Sequence, residues 1–328
     1  RGIPLNRGTE AGVEVARDLC RWADVVCEAY TPRAMRAWGL AYDDLQALNP
    51  SLVMLSTCLF GQTGPLAGFA GFGHPEHHLQ IEGCEPSNDL AALAMFIGQH
   101  SKRLKVISCG WVSTTHNPLR AAETISTLDN MLRGRFAFGL VRGYQHRWVE
   151  NFKVLPQLDA VGPWNKDTEA DDRNREHFAE YVDIVLRALT EPTFHHEGAF
   201  WQFPAPGMKN PHPHDVYTEM GAGVDADMSI TEVGIAPRAY SQPYPQLYGG
   251  FSASMRTALF WARHGGRPIV MSGNYDFCQV LWSKYREEAL RSGHEPAPGS
   301  EAAWGGIVVC APTDAEAQAQ FEDMAWFW

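Results

Sequence analysis

The chain has 328 residues, 45% hydrophobic and 20% charged, enough for one large domain or two ordinary ones with a packed core. A net charge of −11 and the lack of a basic stripe argue against nucleic acid or an anionic membrane as partner. No signal peptide is expected from the sequence, it has no apolar run long enough for a membrane span, and seven cysteines without a CxxC pair read as reduced thiols of a cytoplasmic protein.

The chain starts at Arg1 rather than Met, which reads as a fragment or a processed product. Residues 10–22 have helical periodicity, with Val13, Val15, Ala16, Leu19 and Trp22 on a broad apolar face. "ADVVCEAY" reads as a short buried strand, "PRAMRAWG" as a helical turn or two ended by Gly39, and "AYDDLQALNP" as another short helix. "SLVMLSTCLFG" reads as a second strand and "QTGPLAGFAGFG" as a Gly-rich loop. Beyond residue 80 the pattern becomes regular. "SNDLAALAMFIGQHS" is a helix capped by Ser87 or Asn88, and "RLKVISCGWV" is a strand. Asn117 caps a helix with Pro118 in its first position, which stops near Gly134. "RFAFGLV" is a strand, and "REHFAEYVDIVLRALT" is an amphipathic helix with Phe178, Tyr181, Val182, Val185, Leu186 and Leu189 on one face. "QLYGGF", "RPIVMS" and "GGIVVC" read as strands, and "SASMRTALFWARHGG" as a helix. Thr313 with Glu316 predicts a capping box for a last helix. Strands alternating with helices predict parallel β/α units, which leaves a barrel and an open sheet both open.

In such folds ligands bind where strands end and helices begin. Four places of that kind carry suggestive residues. Glu76-His77-His78 offers a general base, or simply a satisfied loop histidine. Arg142-Gly143-Tyr144 offers a strand-end cation for a phosphate, or an ordinary surface arginine. Residues 249–256, "GGFSASMR", offer an anion site at a helix N-terminus, or plain capping by Ser252 or Ser254. They match neither a Walker A nor a GxGxxG pattern. His195-His196 and His212-Pro-His214 are close histidines without a metal-site spacing, so no metal is expected. These residues lead to a soluble α/β enzyme with a phosphate-bearing ligand, without defining a reaction.

Two family resemblances meet within residues 68–80, "GFAGFGHPEHHLQ". Residues 1–73, through "ADVVCEAYTPRAMRAWGL", "LQALNPSLVMLS" and "FGQTGPLAGFAGFG", resemble the start of the class III CoA-transferases. That family's catalytic aspartate lies beyond the point where this sequence changes. "CEAYTPR" also departs from the family's usual "ENFRPG", which puts CoA contacts by Arg33 or Arg36 in doubt. Residues 74–328 resemble the bacterial luciferase-like, flavin-dependent monooxygenases. The carrying text is "EHH", "HNPLRAAETISTLDNMLRGRFAFGLVRGY", "REHFAEYVDIVLRAL", "HEGAFWQFP" and "LYGGFSASMRTALFWARHGG".

The second resemblance implies a TIM-barrel-like α/β fold, here an incomplete β/α barrel preceded by a short α/β fragment. The division is 1–73 for the fragment and 74–328 for the barrel domain. The barrel lacks the strand, helix and second strand expected before "EHH", and its last strand; "VVCEAY" and "LVMLSTC" are candidates for the missing places. The resemblance further implies reduced FMN as cofactor, O2 as co-substrate, a separate flavin reductase, a small apolar substrate and a homodimer. A deazaflavin is the near variant. By position, His77 matches the catalytic histidine, which would assist proton transfer and stabilise the C4a-peroxide that reduced flavin forms with O2. Arg142, Arg175 and Ser252 match residues that bind the cofactor phosphate. Phe251 and Met255 stand where some members carry an acidic residue and a threonine, with Arg256 alongside. The alternatives are CoA-transferase chemistry from the first 73 residues, or a non-functional chimera of the two pieces.

Overall fold

The structure is a computed structural model that describes residues 9–28, 32–56, 71–79, 87–102, 104–162, 164–211, 222–250, 254–270, 274–296, 303–304 and 313–324. The chain forms two units, Arg1–Gly71 with Gly306–Trp328, and Phe72–Gly305.

The first unit opens with α1 (Glu10–Trp22), where Thr9 Oγ1 accepts from the Gly12 N–H at 3.2 Å. Then come β1 (Val25–Glu28), α2 (Pro32–Ala37), α3 (Tyr42–Leu48) and β2 (Val53–Ser56). β1 and β2 pair in parallel, Val25 opposite Val53 through Glu28 opposite Ser56, as their own two-stranded sheet. Among the described residues neither strand pairs with a strand of the larger sheet. The core of this unit is Cys20, Met35, Leu40, Leu45 and Leu52. α1 meets it through Ala16 and Cys20, whereas Val15, Leu19 and Trp22 are exposed. The broad apolar face read from the sequence is thus only partly inward. Gly39 ends α2 with φ +61°, a left-handed turn that glycine adopts without strain.

The second unit contains β3 (Gly71–His74), α4 (Leu90–Gln99), β4 (Lys105–Val112), α5 (Pro118–Leu132), β5 (Phe136–Val141), α6 (His146–Phe152) and α7 (Glu169–Thr190). A small hairpin, β6 (His196–Glu197) with β7 (Gln202–Phe203), follows. The chain then returns through β8 (Gln246–Gly249), α8 (Met255–Arg263), β9 (Arg267–Val270), α9 (Tyr275–Arg291) and β10 (Ala303–Trp304). The main sheet has six strands in the order β10-β9-β8-β5-β4-β3. The β4–β5, β5–β8, β8–β9 and β9–β10 pairs are parallel. Curled and backed by helices, this is half of a β/α barrel, the α/β class that the sequence predicts. The final helix, α10 (Asp314–Met324), belongs to the first unit. Thr313 Oγ1 accepts from the Glu316 N–H at 3.2 Å, one half of the predicted box.

The main core lies between the sheet and helices α5 and α7, around Ile125, Phe136, Phe138, Tyr181, Val185 and Leu247. α7 starts six residues earlier than the apolar pattern suggests. Thr168 caps it by accepting from the Asp171 N–H, so Asp171, Asn174 and His177 also lie on its buried face. Asn117 accepts from the N–H groups of Leu119 and Arg120 and, with Pro118 in the first turn, opens α5 as predicted. Two readings change. The cap of α4 is Asp89, not Ser87 or Asn88. The strand before Glu76 is present: Gly71–His74 at the end of the Gly-rich text forms β3 beside β4, and Ser108 Oγ lies 3.1 Å from His74 Nε2. "GGIVVC" (305–310), the end of "SLVMLSTCLFG" (57–61) and most of the Gly-rich loop (62–70) lie outside the described residues.

Candidate functional site

The C-terminal ends of β3, β4, β5 and β8 converge on one cavity of about 190 Å3 in the second unit. Glu76 and His77 enter from β3, Cys109 and Val112 from β4, Arg142 and Gly143 from β5, and Thr257 from the first turn of α8. Parallel strands place all their C-terminal ends on one side, so residues far apart in sequence meet there. A β-bulge between Cys109 and Trp111 lets β4 approach β5 closely. A Cβ on Gly110 would stand 2.8 Å from the Gly139 carbonyl oxygen. The cavity wall at Cys109 is apolar in effect, because burial pushes this thiol up to about 12.

One side of the site is cationic. Arg142 Nη1 donates to Asp171 Oδ1 at 2.5 Å, and Arg175 Nε donates to Asp171 Oδ2 at 3.0 Å. Asp171 is fully buried and also accepts from the Asp167 N–H at 3.1 Å. Burial pushes its carboxyl up, but the hydrogen bonds from Arg142, Asp167 and Arg175 outweigh it and hold the group below the usual range. Burial and the neighbouring charges of Arg175 and Arg256 pull the Arg142 guanidinium below its ordinary value, against the bond to Asp171. Arg142, Arg175 and Arg256 thus set three positive charges against the Asp171 carboxylate, an arrangement that favours an anion. Gly143, at φ +88°, turns the chain directly after Arg142; a Cβ there would lie 2.6 Å from Val112 Cγ1.

The other side is built on Glu76. Its carboxylate is buried and accepts from His78 Nε2 at 2.8 Å, His116 Nε2 at 2.9 Å and the Val112 N–H at 3.2 Å. Burial raises this carboxyl, while the bonds from His116, His78 and Val112 outweigh it and lower it overall. His77 lies between, half-buried, with its N–H bonded to the Ser87 carbonyl oxygen at 2.9 Å.

Of the residues picked from the sequence, His77 and Arg142 line the same cavity, and Arg175 is not among its lining residues but shares Asp171 with Arg142. Ser252 lies outside the described residues, as do His212 and His214. Ser254 is the cap of α8, accepting from the Thr257 N–H at 3.3 Å. His195 and His196 part company: His195 Nδ1 is 3.2 Å from the Thr231 carbonyl oxygen, and His196 Nε2 is 3.0 Å from Glu180. Among the described residues no group of three or more His, Cys, Asp or Glu is placed to hold a metal. No described helix is long and apolar enough to cross a membrane. Asp171 and His116 escape a reading by motif. Asp171 sits in an acidic run that looks like an exposed first helical turn, and His116 is a lone histidine before a helix cap.

A half-barrel with a cationic cleft at its strand ends puts the site where β/α-barrel enzymes carry theirs. The chain belongs to the luciferase-like monooxygenase family, whose model matches residues 66–328. The CoA-transferase family III model matches residues 1–76. The alkanal monooxygenase alpha chain of Photobacterium leiognathi is 25% identical over 229 residues, 69% of this chain and 51% of that protein. The succinyl-CoA–L-malate CoA-transferase beta subunit of Chloroflexus aurantiacus is 38% identical over 77 residues, 24% of this chain and 19% of that protein. The chain thus spans about half the length of the first relative and a fifth of the second. Among solved structures, the oxygenating constituent of 3,6-diketocamphane monooxygenase from Pseudomonas putida, in complex with FMN, superposes with a TM-score of 0.56. It is 19% identical, and the match covers 78% of this chain and 62% of that one. An F420-dependent secondary alcohol dehydrogenase matches with a TM-score of 0.54 and 13% identity, over 77% of this chain and 65% of that one. These two likenesses support the fold.

Proposed function

We propose that the chain is a flavin-dependent monooxygenase that uses reduced FMN and O2 to oxygenate a small apolar substrate, with the flavin reduced by a separate reductase. The observation that carries this reading is the pair Arg142 and Arg175 on Asp171 beside the cavity that His77 lines. The residues fit the cofactor. The cationic excess suits a phosphate dianion, and the apolar wall of Cys109, Val112, Leu140, Phe178 and Trp261 suits a flat ring system. The enclosed volume is below the roughly 300–1,000 Å3 of sites that engulf a whole ligand, so part of the cofactor would lie in the open cleft. Bound flavin would supply the redox chemistry. Arg142, Arg175 and Ser252 would hold its phosphate. His77 would hold or move a proton at the cavity wall, with its backbone fixed by Ser87.

The test is titration with FMN and with photoreduced FMN, read by flavin fluorescence and melting temperature. Saturable binding of either form with a raised melting temperature supports the reading. Failure of both to bind a chain that melts cooperatively overturns it. A deazaflavin-dependent dehydrogenase is the second reading, favoured by the likeness to the F420-dependent fold, and would show as preference for F420 in the same titration. The proposed protein is cytoplasmic and homodimeric, with no nucleic acid or membrane partner.

A further inference from the structure

We propose that His116 is the residue through which this site exchanges protons with solvent, joined to it by Glu76 and opening into a second cavity. The inference rests on the flavin reading above. It starts from one coincidence: Glu76 lines both the site cavity and a second cavity of about 340 Å3 at the N-terminal ends of α4 and α5. That second cavity is walled by Asn88, Asp89, Trp111, His116 and Arg120, among others. The Glu76 side chain is 2% exposed, and that of His116 is 34% exposed. The pair therefore runs from a dry interior to a wet opening within a single hydrogen-bond length.

The two histidines on Glu76 are not equivalent. His78 is packed edge-on against Phe152 and Trp148, at ring-centroid distances of 5.1 and 6.1 Å, and Arg147 Nε holds its carbonyl oxygen at 3.2 Å. It anchors the loop. His116 sits against both carboxylate oxygens at 2.9 Å and borders open space. An ionised carboxylate only accepts, so both rings present Nε2–H to it. In His116 this leaves Nδ1, on the far side of the ring, as the atom to take a proton from solvent. Tyr181 of α7 also feels Glu76: burial and that charge push its hydroxyl well above its ordinary value. Asp89 and Arg120 border the outer cavity, and Arg120 is paired with Glu123 at 2.6 Å.

Oxidation of reduced flavin by O2 yields oxidised flavin and H2O2 and takes up one proton for each anionic reduced flavin. The proposed path delivers it. Solvent protonates His116 at Nδ1, the Nε2 proton moves to Glu76, and Glu76 passes a proton to the acceptor in the site cavity. His116 is left neutral with its proton on Nδ1. The ring then turns into the outer cavity, gives up its Nδ1 proton to solvent while taking one at Nε2, and returns as Nε2–H to Glu76. One proton enters and one is delivered. A purely structural Glu76 clamp would need neither the outer cavity nor an accessible second histidine.

Two measurements on the full chain decide it. The first needs no flavin: ring-nitrogen NMR of the neutral histidines. The Nε2–H tautomer at His116 is expected in the parent protein, and an Nδ1–H tautomer there overturns the path. The second compares the parent with His116→Gln and His116→Gly for FMN affinity, melting temperature and the rate at which O2 oxidises bound reduced FMN. We expect both variants to slow about 100-fold with FMN affinity retained. Added imidazole should restore most of the rate to His116→Gly, where the space is vacated, and not to His116→Gln. Unchanged rates in both variants, or a loss that imidazole does not relieve, overturn the proposal. If the parent binds no FMN, the flavin reading fails, while the tautomer measurement still decides where the proton sits.

Discussion

Arg142 and Arg175 are held at a fixed spacing by one carboxylate: each donates to a different oxygen of the buried Asp171. One guanidinium comes from the end of β5 and the other from the second turn of α7, so the pairing ties a loop to a helix. The conformational cost of bringing two long cationic side chains together falls in folding rather than in binding.

The phosphate role of these arginines predicts a contrast between two ligands. Arg142→Ala and Arg175→Ala should each weaken FMN about 10- to 100-fold, the worth of a charge-assisted hydrogen bond. Riboflavin, which lacks the phosphate, should bind the variants and the parent alike. Equal losses for both ligands would show that the arginines shape the cleft without reading phosphate. Asp171→Asn should weaken FMN and also lower the melting temperature, since removing one member of a buried ion pair costs about 3–5 kcal/mol.

His77→Ala separates binding from chemistry. His77 lines the cavity and stands apart from the arginines' phosphate role, so FMN affinity should change little while O2-dependent turnover falls about 100-fold or more. A variant that turns over at the parent rate would remove His77 from the reaction.

Acid should weaken the fold through His177. Its ring is fully buried, neither ring nitrogen has a hydrogen-bond partner among the described residues, and Phe200, Tyr181 and Trp201 surround it. Burial lowers it to about 4 from 6.5, against the pull of Glu180. The unfolded chain therefore takes up this proton first, and stability is full above pH 6.5 and declines as pH falls toward 4. At about 1.4 kcal/mol per pH unit the loss reaches roughly 3 kcal/mol. Melting curves from pH 7 to 4 should fall less steeply in His177→Phe. His74, buried and likewise lowered to about 4 by burial, keeps part of the slope in that variant.

Glu180 clips the β6–β7 hairpin to α7. Its carboxylate accepts from the N–H groups of Phe200 and Trp201 at 3.0 and 2.8 Å and from His196 at 3.0 Å. Glu180→Ala should cost about 1–3 kcal/mol and open residues 198–201 to proteolysis before the rest of the unit. An unchanged cleavage pattern would show that aromatic packing alone seats the hairpin.

Residues whose local pattern and tertiary role agree were legible. Asn117-Pro118 opens α5 where a capping asparagine and a first-turn proline dictate, and β4 and β5 follow their apolar runs. β3 was hidden because Gly71-Phe72-Gly73-His74 has neither β-branched residues nor alternation; a neighbouring strand supplies its pairing. The fully buried residues of α9 are Leu281, Tyr285 and Ala289, a narrow stripe in a helix otherwise rich in charged and polar residues. In the site, His77 and Arg142 were reached through short motifs. Asp171 and His116 gain their meaning from partners 29 and 40 residues away, which no local spacing encodes.

Among the described residues the six-stranded sheet runs from β3, with four residues, to β10, with two. An open parallel sheet exposes its rim as a template on which another chain can crystallise into a growing ribbon, and brevity is one of the few defences against that. Substitutions that extend β3 past His74 should therefore be read first by turbidity and light scattering, because their earliest effect would be on how the molecules treat each other in a concentrated solution.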